Sequence, residues 1–216
     1  MDLMQYIYIL IIVLTVISSI KGFDDEAFFN RLKFNVGAIL KGKQWDRIFL
    51  SAFLHGDWMH LLFNMMTLFF FSDVIIGKLG AWYFLAIYFF SIIGGGLLSL
   101  LVHRKDYYYS AIGASGGVVG VLFSAIAIYP HIGINIMFIP IDIPGWIFGI
   151  VYLLYSIYGM RNSVGNIGHD AHMGGAAIGL LLTIATHPIY LIKNGLYIGI
   201  IIIPLIILGY IVWKQK

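Results

Sequence analysis

Cysteine is absent from the sequence. That excludes disulfides, thiolate metal sites and cysteine nucleophiles together, and leaves the redox compartment open. Charge is nearly as scarce: Asp, Glu, Lys and Arg make up 11% of the 216 residues. A soluble domain carries about 25%, so this chain cannot cover a water-facing surface of ordinary composition. The formal charge of +3 is small and spread over connecting segments, which gives no sign of a nucleic-acid partner. Met1 to Ile20 lacks a basic start and a small-residue cleavage site, so it reads as a retained span rather than a removed signal peptide. Internal repeats and low-complexity tracts are missing too, and a single membrane domain over 1–216 is expected.

What the chain has is apolar residues, 61% of the total. Several stretches of about 16 or more carry no charge, close to the length a helix needs to cross the hydrocarbon. Lipid offers backbone polar groups no partner, so helices that satisfy their own hydrogen bonds are the expected element. The fold class that follows is all-α, a polytopic transmembrane helical bundle. Seven segments can be marked: Leu3–Ile20, Trp58–Phe71, Ala81–Val102, Ser115–Tyr129, Gly145–Met160, Ala171–Ile189 and Leu196–Trp213. The second and fifth are short and are expected to extend into flanking residues such as Phe53–His55. Connections of about 5 to 15 residues are expected between all but the first pair. The first connection, Lys21–Asp57, mixes charges with Phe28, Phe29, Trp45 and Phe49, a pattern suited to the membrane interface.

Polar side chains inside spans are costly and therefore candidates for function. His60 and Asn64 share a face of the second segment at i, i+4. Ser115 opens the fourth within Gly113-Ala114-Ser115-Gly116-Gly117, and His172 opens the sixth within His169-Asp170-Ala171-His172. Even-numbered segments run in one direction, so these three clusters converge on one side of the bilayer. Gly116 and Gly120, with Gly175 and Gly179, give the fourth and sixth segments small faces along which helices can approach closely.

The chemistry these residues fit is acyl transfer. His172 as neutral imidazole suits the general base that activates the Ser115 hydroxyl. His60, Asn64 and the Ser115 backbone N–H would form the oxyanion hole. Asp170 lies two residues before His172 and points to another helix face, so a dyad is expected, with the imidazole oriented by packing. Blander readings stand beside each element. The glycine-serine stretch could be helix packing alone, His60 and Asn64 an interhelical pair, and His169 an interfacial side chain. A metal held by His55, His60, His169 and His172 is disfavoured, because no carboxylate within a span accompanies them. No metal and no cofactor are expected. The Gly113-x-Ser115-x-Gly117 pattern cannot be a nucleophile elbow, since the chain cannot build the strand that motif needs.

At these residues the sequence resembles the rhomboid family of intramembrane serine proteases, over roughly Trp45 to Leu181. The motifs are Trp45 and Arg47 leading into His55-x4-His60-x3-Asn64, then Gly113-Ala114-Ser115-Gly116, then Ala171-His172-x2-Gly175-x3-Gly179. The resemblance implies six core helices over about 1–190, plus a seventh over about 194–214 as in bacterial members. It implies a dyad of Ser115 and His172 in a cavity sunk below the membrane surface. It also implies substrates that are transmembrane proteins cut in or beside their spans, and a bacterial cell membrane with the site opening to the extracytoplasmic side. Members commonly place an aromatic residue four positions after the nucleophile, against the histidine; here that residue is Val119. The fifth segment, with Trp146, Phe148, Tyr152 and Tyr155, is the lateral gate by the same analogy. On the implied orientation Lys78 and Lys193 alone face the cytosol, opposite to what the positive-inside rule prefers. A catalytically inactive binder of transmembrane segments is the alternative, and a small transporter, which would show two related halves, is a third reading.

Overall fold

The structure, a computed structural model, describes residues 3–135, 141–162 and 167–214. The parts of the expected membrane domain at 1–2, 136–140, 163–166 and 215–216 lie outside them. Seven long helices overlap the seven apolar segments, one to each: α1 (Ile7–Asp24), then α5 (Trp58–Leu79), α6 (Ala81–Val102), α7 (Ser115–Ile128), α8 (Gly145–Asn162), α9 (His169–Thr186) and α10 (Ile189–Lys214). Between α1 and α5 lie three short ones, α2 (Glu26–Leu32), α3 (Val36–Leu40) and α4 (Arg47–Leu50). Four helices are long and apolar enough to cross a membrane by themselves among the described residues: Met4–Asp24, Trp58–Leu79, Ala81–Val102 and Ile189–Lys214.

Two sequence expectations are corrected. The second segment extends toward its C-terminus, to Leu79, and not back into Phe53–His55. The Asp57 side chain accepts the His60 N–H at 2.8 Å and fixes the start of α5 at Trp58. Its extra turns carry Asp73 and Lys78, which a hydropathy reading excludes. The expected loop between α5 and α6 is a single residue, Gly80, whose φ of 93° only glycine adopts without strain.

α7 is the axis of the bundle. On one side Val118, Val121 and Ala125 join a core with α1, α5 and α6; on the other Phe123, Ile126 and Val119 join a core with α8, α9 and α10. Its crossing with α9 is as the glycine pattern anticipated. A Cβ on Gly175 or Gly179 would run into the Gly116 or Gly120 carbonyl. α9 presses on α6 in the same way, for a Cβ on Gly174 would stand 2.8 Å from the Gly94 oxygen. Backbones in direct contact give dispersion and weak C–H···O attraction, the terms that associate helices in lipid.

The first connection is ordered. Buried Arg47 donates to the Asn30 and Lys33 carbonyls at 2.8 Å each and to Gln44 Oε1 at 2.6 Å. A two-residue strand, β1 (Phe34–Asn35), pairs antiparallel with β2 (Ser110–Ala111), which leads into α7. A second short pair, β3 (Gly133–Ile134) with β4 (Ile143–Pro144), leads into α8. α10 bends at Asn194, where its backbone leaves the helical region. There the Asn194 amide donates to the Ala127 and Ile128 carbonyls at 2.9 and 3.0 Å, capping α7 from outside.

Candidate active site

The head of α7 is built to expose one side chain. Ser115 is the first helical residue and stands half-buried, whereas every residue from Gly116 to Ile128 is buried. Its backbone N–H belongs to the first turn, where the helix itself supplies no acceptor. Gly113 has φ 118° and brings the chain so close to His60 that a Cβ there would lie 2.8 Å from the ring's Cε1 and Nε2. Fourteen residues make a helix about 21 Å long at ~1.5 Å each, short of the ~30 Å hydrocarbon. A helix that short cannot reach both membrane faces.

His55 holds this loop. The Ala114 N–H donates to its Nε2 at 3.4 Å, so Nδ1 carries the proton and donates to Ser19 Oγ at 2.9 Å. The Ser19 hydroxyl in turn donates to the Phe53 carbonyl at 3.1 Å. Burial, and after it the neighbouring His60, push the His55 imidazole down to about 3, which matches a ring whose two nitrogens are spent as one donor and one acceptor. Sequence reasoning met His55 as a motif member and a disfavoured metal ligand, not as the tie that holds this loop, because its partners lie 36 and 59 residues away.

Ser115, His172, His60 and Asn64 line one cavity of about 500 Å³, together with Asp57, Thr67, Val119, Phe148 and Tyr152. The convergence expected from helix direction is therefore present. Among the described residues no hydrogen bond joins Ser115 to His172. On α5, Gly56 N–H approaches His60 Nδ1 at 3.5 Å, an arrangement that leaves Nε2 to carry the proton on the Gly113 side. Asn64 spends one amide hydrogen on the His60 carbonyl at 2.9 Å and keeps a second.

His172 is oriented by more than packing. Its Nδ1 lies 2.7 Å from the Tyr152 hydroxyl, and the two rings stack with centroids 5.9 Å apart and planes 26° apart. Tyr152 figured in the sequence reading as part of a gate, not as a partner of the histidine; Val119 was the one hint, a place where an aromatic ring was missing. Asp170 faces elsewhere, as expected. It takes the Tyr109 hydroxyl at 3.4 Å and meets His103 Nε2 at 3.4 Å, with the His103 and Tyr109 rings stacked. His169 is not interfacial: it is 4% exposed, with Tyr155 edge-on to its ring and Gly159 against it. No three His, Asp or Glu side chains gather as metal ligands among the described residues.

The family model described as Rhomboid domain matches residues 42–189. Similar proteins include Rhomboid protein 1, mitochondrial, of Saccharomyces cerevisiae, 31% identical over 61% of this chain and 39% of its own. RHOMBOID-like protein 12, mitochondrial, of Arabidopsis thaliana is 26% identical over 72% of this chain and 50% of its own. Rhomboid-like protease 5 of Toxoplasma gondii is 31% identical over 65% of this chain and 16% of its own. The chain thus spans half or less of the length of these curated relatives. Two are mitochondrial by name, and the bacterial cell membrane expected from the sequence finds no support in them.

Proposed function

This chain belongs to the rhomboid family, and on that premise we propose that it is an intramembrane serine endopeptidase with Ser115 as nucleophile and His172 as general base. It is a multi-pass integral membrane protein, and the substrates proposed for it are transmembrane proteins presented within the bilayer. The observation that carries the reading is the single cavity lined by Ser115, His172, His60 and Asn64 at the head of the most buried helix.

In this reading, substrate binding brings Ser115 Oγ within about 2.6–3.2 Å of His172 Nε2, the reach a proton transfer needs. The hydroxyl attacks the scissile carbonyl carbon while its proton passes to Nε2, giving a tetrahedral oxyanion and an imidazolium. His60 Nε2–H, the free Asn64 amide hydrogen and the Ser115 N–H donate to the oxyanion. Collapse expels the amine, protonated by His172, and leaves an acyl-serine ester. A water activated by the same imidazole then hydrolyses it. The site opens on the membrane face shared by the N-terminal ends of α5, α7 and α9.

Ser115→Ala and His172→Ala are each expected to lower cleavage of a single-span substrate in liposomes by on the order of 10³-fold or more, with the melting temperature unchanged. Cleavage retained in both excludes the dyad. The second reading is a binder of transmembrane segments that does not cut, which the same cavity would also serve. A serine-reactive phosphonate separates the two: modification mapped to Ser115 supports the protease, and none in folded protein supports the binder.

A further inference from the structure

Position 119, one turn after Ser115, presents a valine toward the cavity, which cannot support an imidazole through a ring face or a hydroxyl. Tyr152 of α8 offers both, through its 2.7 Å contact to Nδ1 and its stacked ring. We infer that Tyr152 is the positioning residue of His172, so that the base is oriented from α8 and not from the helix that carries Ser115. The inference rests on the reading of His172 as the base.

The direction of the hydrogen bond follows from that role. A base that accepts the Ser115 proton at Nε2 must carry its resting proton on Nδ1. Tyr152 Oη therefore accepts from Nδ1–H, and it still accepts when the ring becomes imidazolium. A hydroxyl donating to Nδ1 instead would place the proton on Nε2 and leave Ser115 without a base. Tyr152 thus selects the productive tautomer as well as the ring's angle. Besides Tyr152, the titratable groups near His172 among the described residues are His60 from α5, Asp57 in the lining of the same cavity and, on its own helix, His169 and Asp170.

The location has a second consequence. Tyr152 and Phe148 line the central cavity and also an apolar groove of about 280 Å³ on α8 formed with Ile143, Ile147, Val151 and Tyr155. These two rings are the wall between cavity and groove, so anything that displaces α8 there also loosens the base.

The test uses the full chain in phosphatidylcholine liposomes with a single-span substrate that the unaltered protein cleaves. Tyr152→Phe keeps the ring and removes the acceptor. It is expected to lower kcat about tenfold with KM within twofold, and to move the acidic limb of the pH–rate profile to lower pH, because the imidazolium loses a partner. Tyr152→Ala is expected to lower kcat about 100-fold. Val119→Tyr added to Tyr152→Ala is expected to recover about tenfold of that loss by supplying a ring from α7. An unchanged kcat and pH profile in folded Tyr152→Phe, or a loss confined to KM, overturns the inference. Loss of all cleavage in Ser115→Ala, run in parallel, keeps the dyad reading separate from this outcome.

Discussion

The helix that begins at Ser115 and the helix that hydrogen-bonds His172 are both apolar, yet they are held in opposite ways. α7 is buried from Gly116 to Ile128, touches α9 backbone to backbone, is tied at its head through Ala114 to His55 and is capped at its tail by Asn194. α8 buries one narrow stripe, Gly145, Gly149, Leu153, Ser156 and Gly159, and turns Val151, Leu154, Tyr155 and Tyr158 outward. Its N-terminal end leans on Tyr197 of α10 through Trp146. In lipid, apolarity does not decide which helix is fixed; closeness of approach does, and glycine sets that. The reaction read from this site would then draw its nucleophile from the best-held element and its base orientation from a weakly held one.

That contrast can be broken at its strongest point by Gly175→Ala. The new methyl meets the Gly116 carbonyl, backbone that cannot yield, and a loss of about 3 kcal/mol is expected in reversible detergent unfolding. Gly159→Ala tests the α8 side. Its methyl meets the His169 ring, a side chain that can shift, so about 1–2 kcal/mol is expected, and a loss equal to that of Gly175→Ala would erase the contrast.

Acid should act on the α7 side. Burial, with His60 beside it, pushes the His55 imidazole down to about 3 in the folded chain, against about 6.5 when unfolded. Between those values the unfolded chain binds the extra proton, so stability is full above about pH 6.5 and declines as pH falls toward 3. His55→Gln is expected to flatten the melting temperature over that window while lowering it at neutral pH. The smallest effect belongs to Gly149→Ala, whose methyl would sit 3.3 Å from Phe123 Cε1. The gain in helix propensity, up to about 1 kcal/mol, offsets the crowding, and a net change within about 0.5 kcal/mol is expected.

Much of this was legible in the sequence because lipid forces simple rules. The start of α7 at Ser115, the shared side of His60, Asn64, Ser115 and His172, and the glycine crossing of α7 with α9 all follow from spacing and direction. The extension of α5 was hidden by Asp73 and Lys78; Lys78 lies 5.5 Å over the Tyr129 ring at that helix's end. His169 looked interfacial because nothing in the chain announces that Tyr155 and Gly159 enclose it. The contacts of Tyr152 and His55 were not legible for one reason: each reaches a partner on another helix, and no period within one segment records it.

Asn194 changes how the end of the chain should be regarded. Its amide completes the last turn of a helix it does not belong to, giving partners to two carbonyls at the buried end of α7, where an unpartnered group costs about 1–3 kcal/mol. The seventh helix is thus a stopper seated under the pillar that bears the candidate serine, and a chain shortened before it would loose that pillar from below.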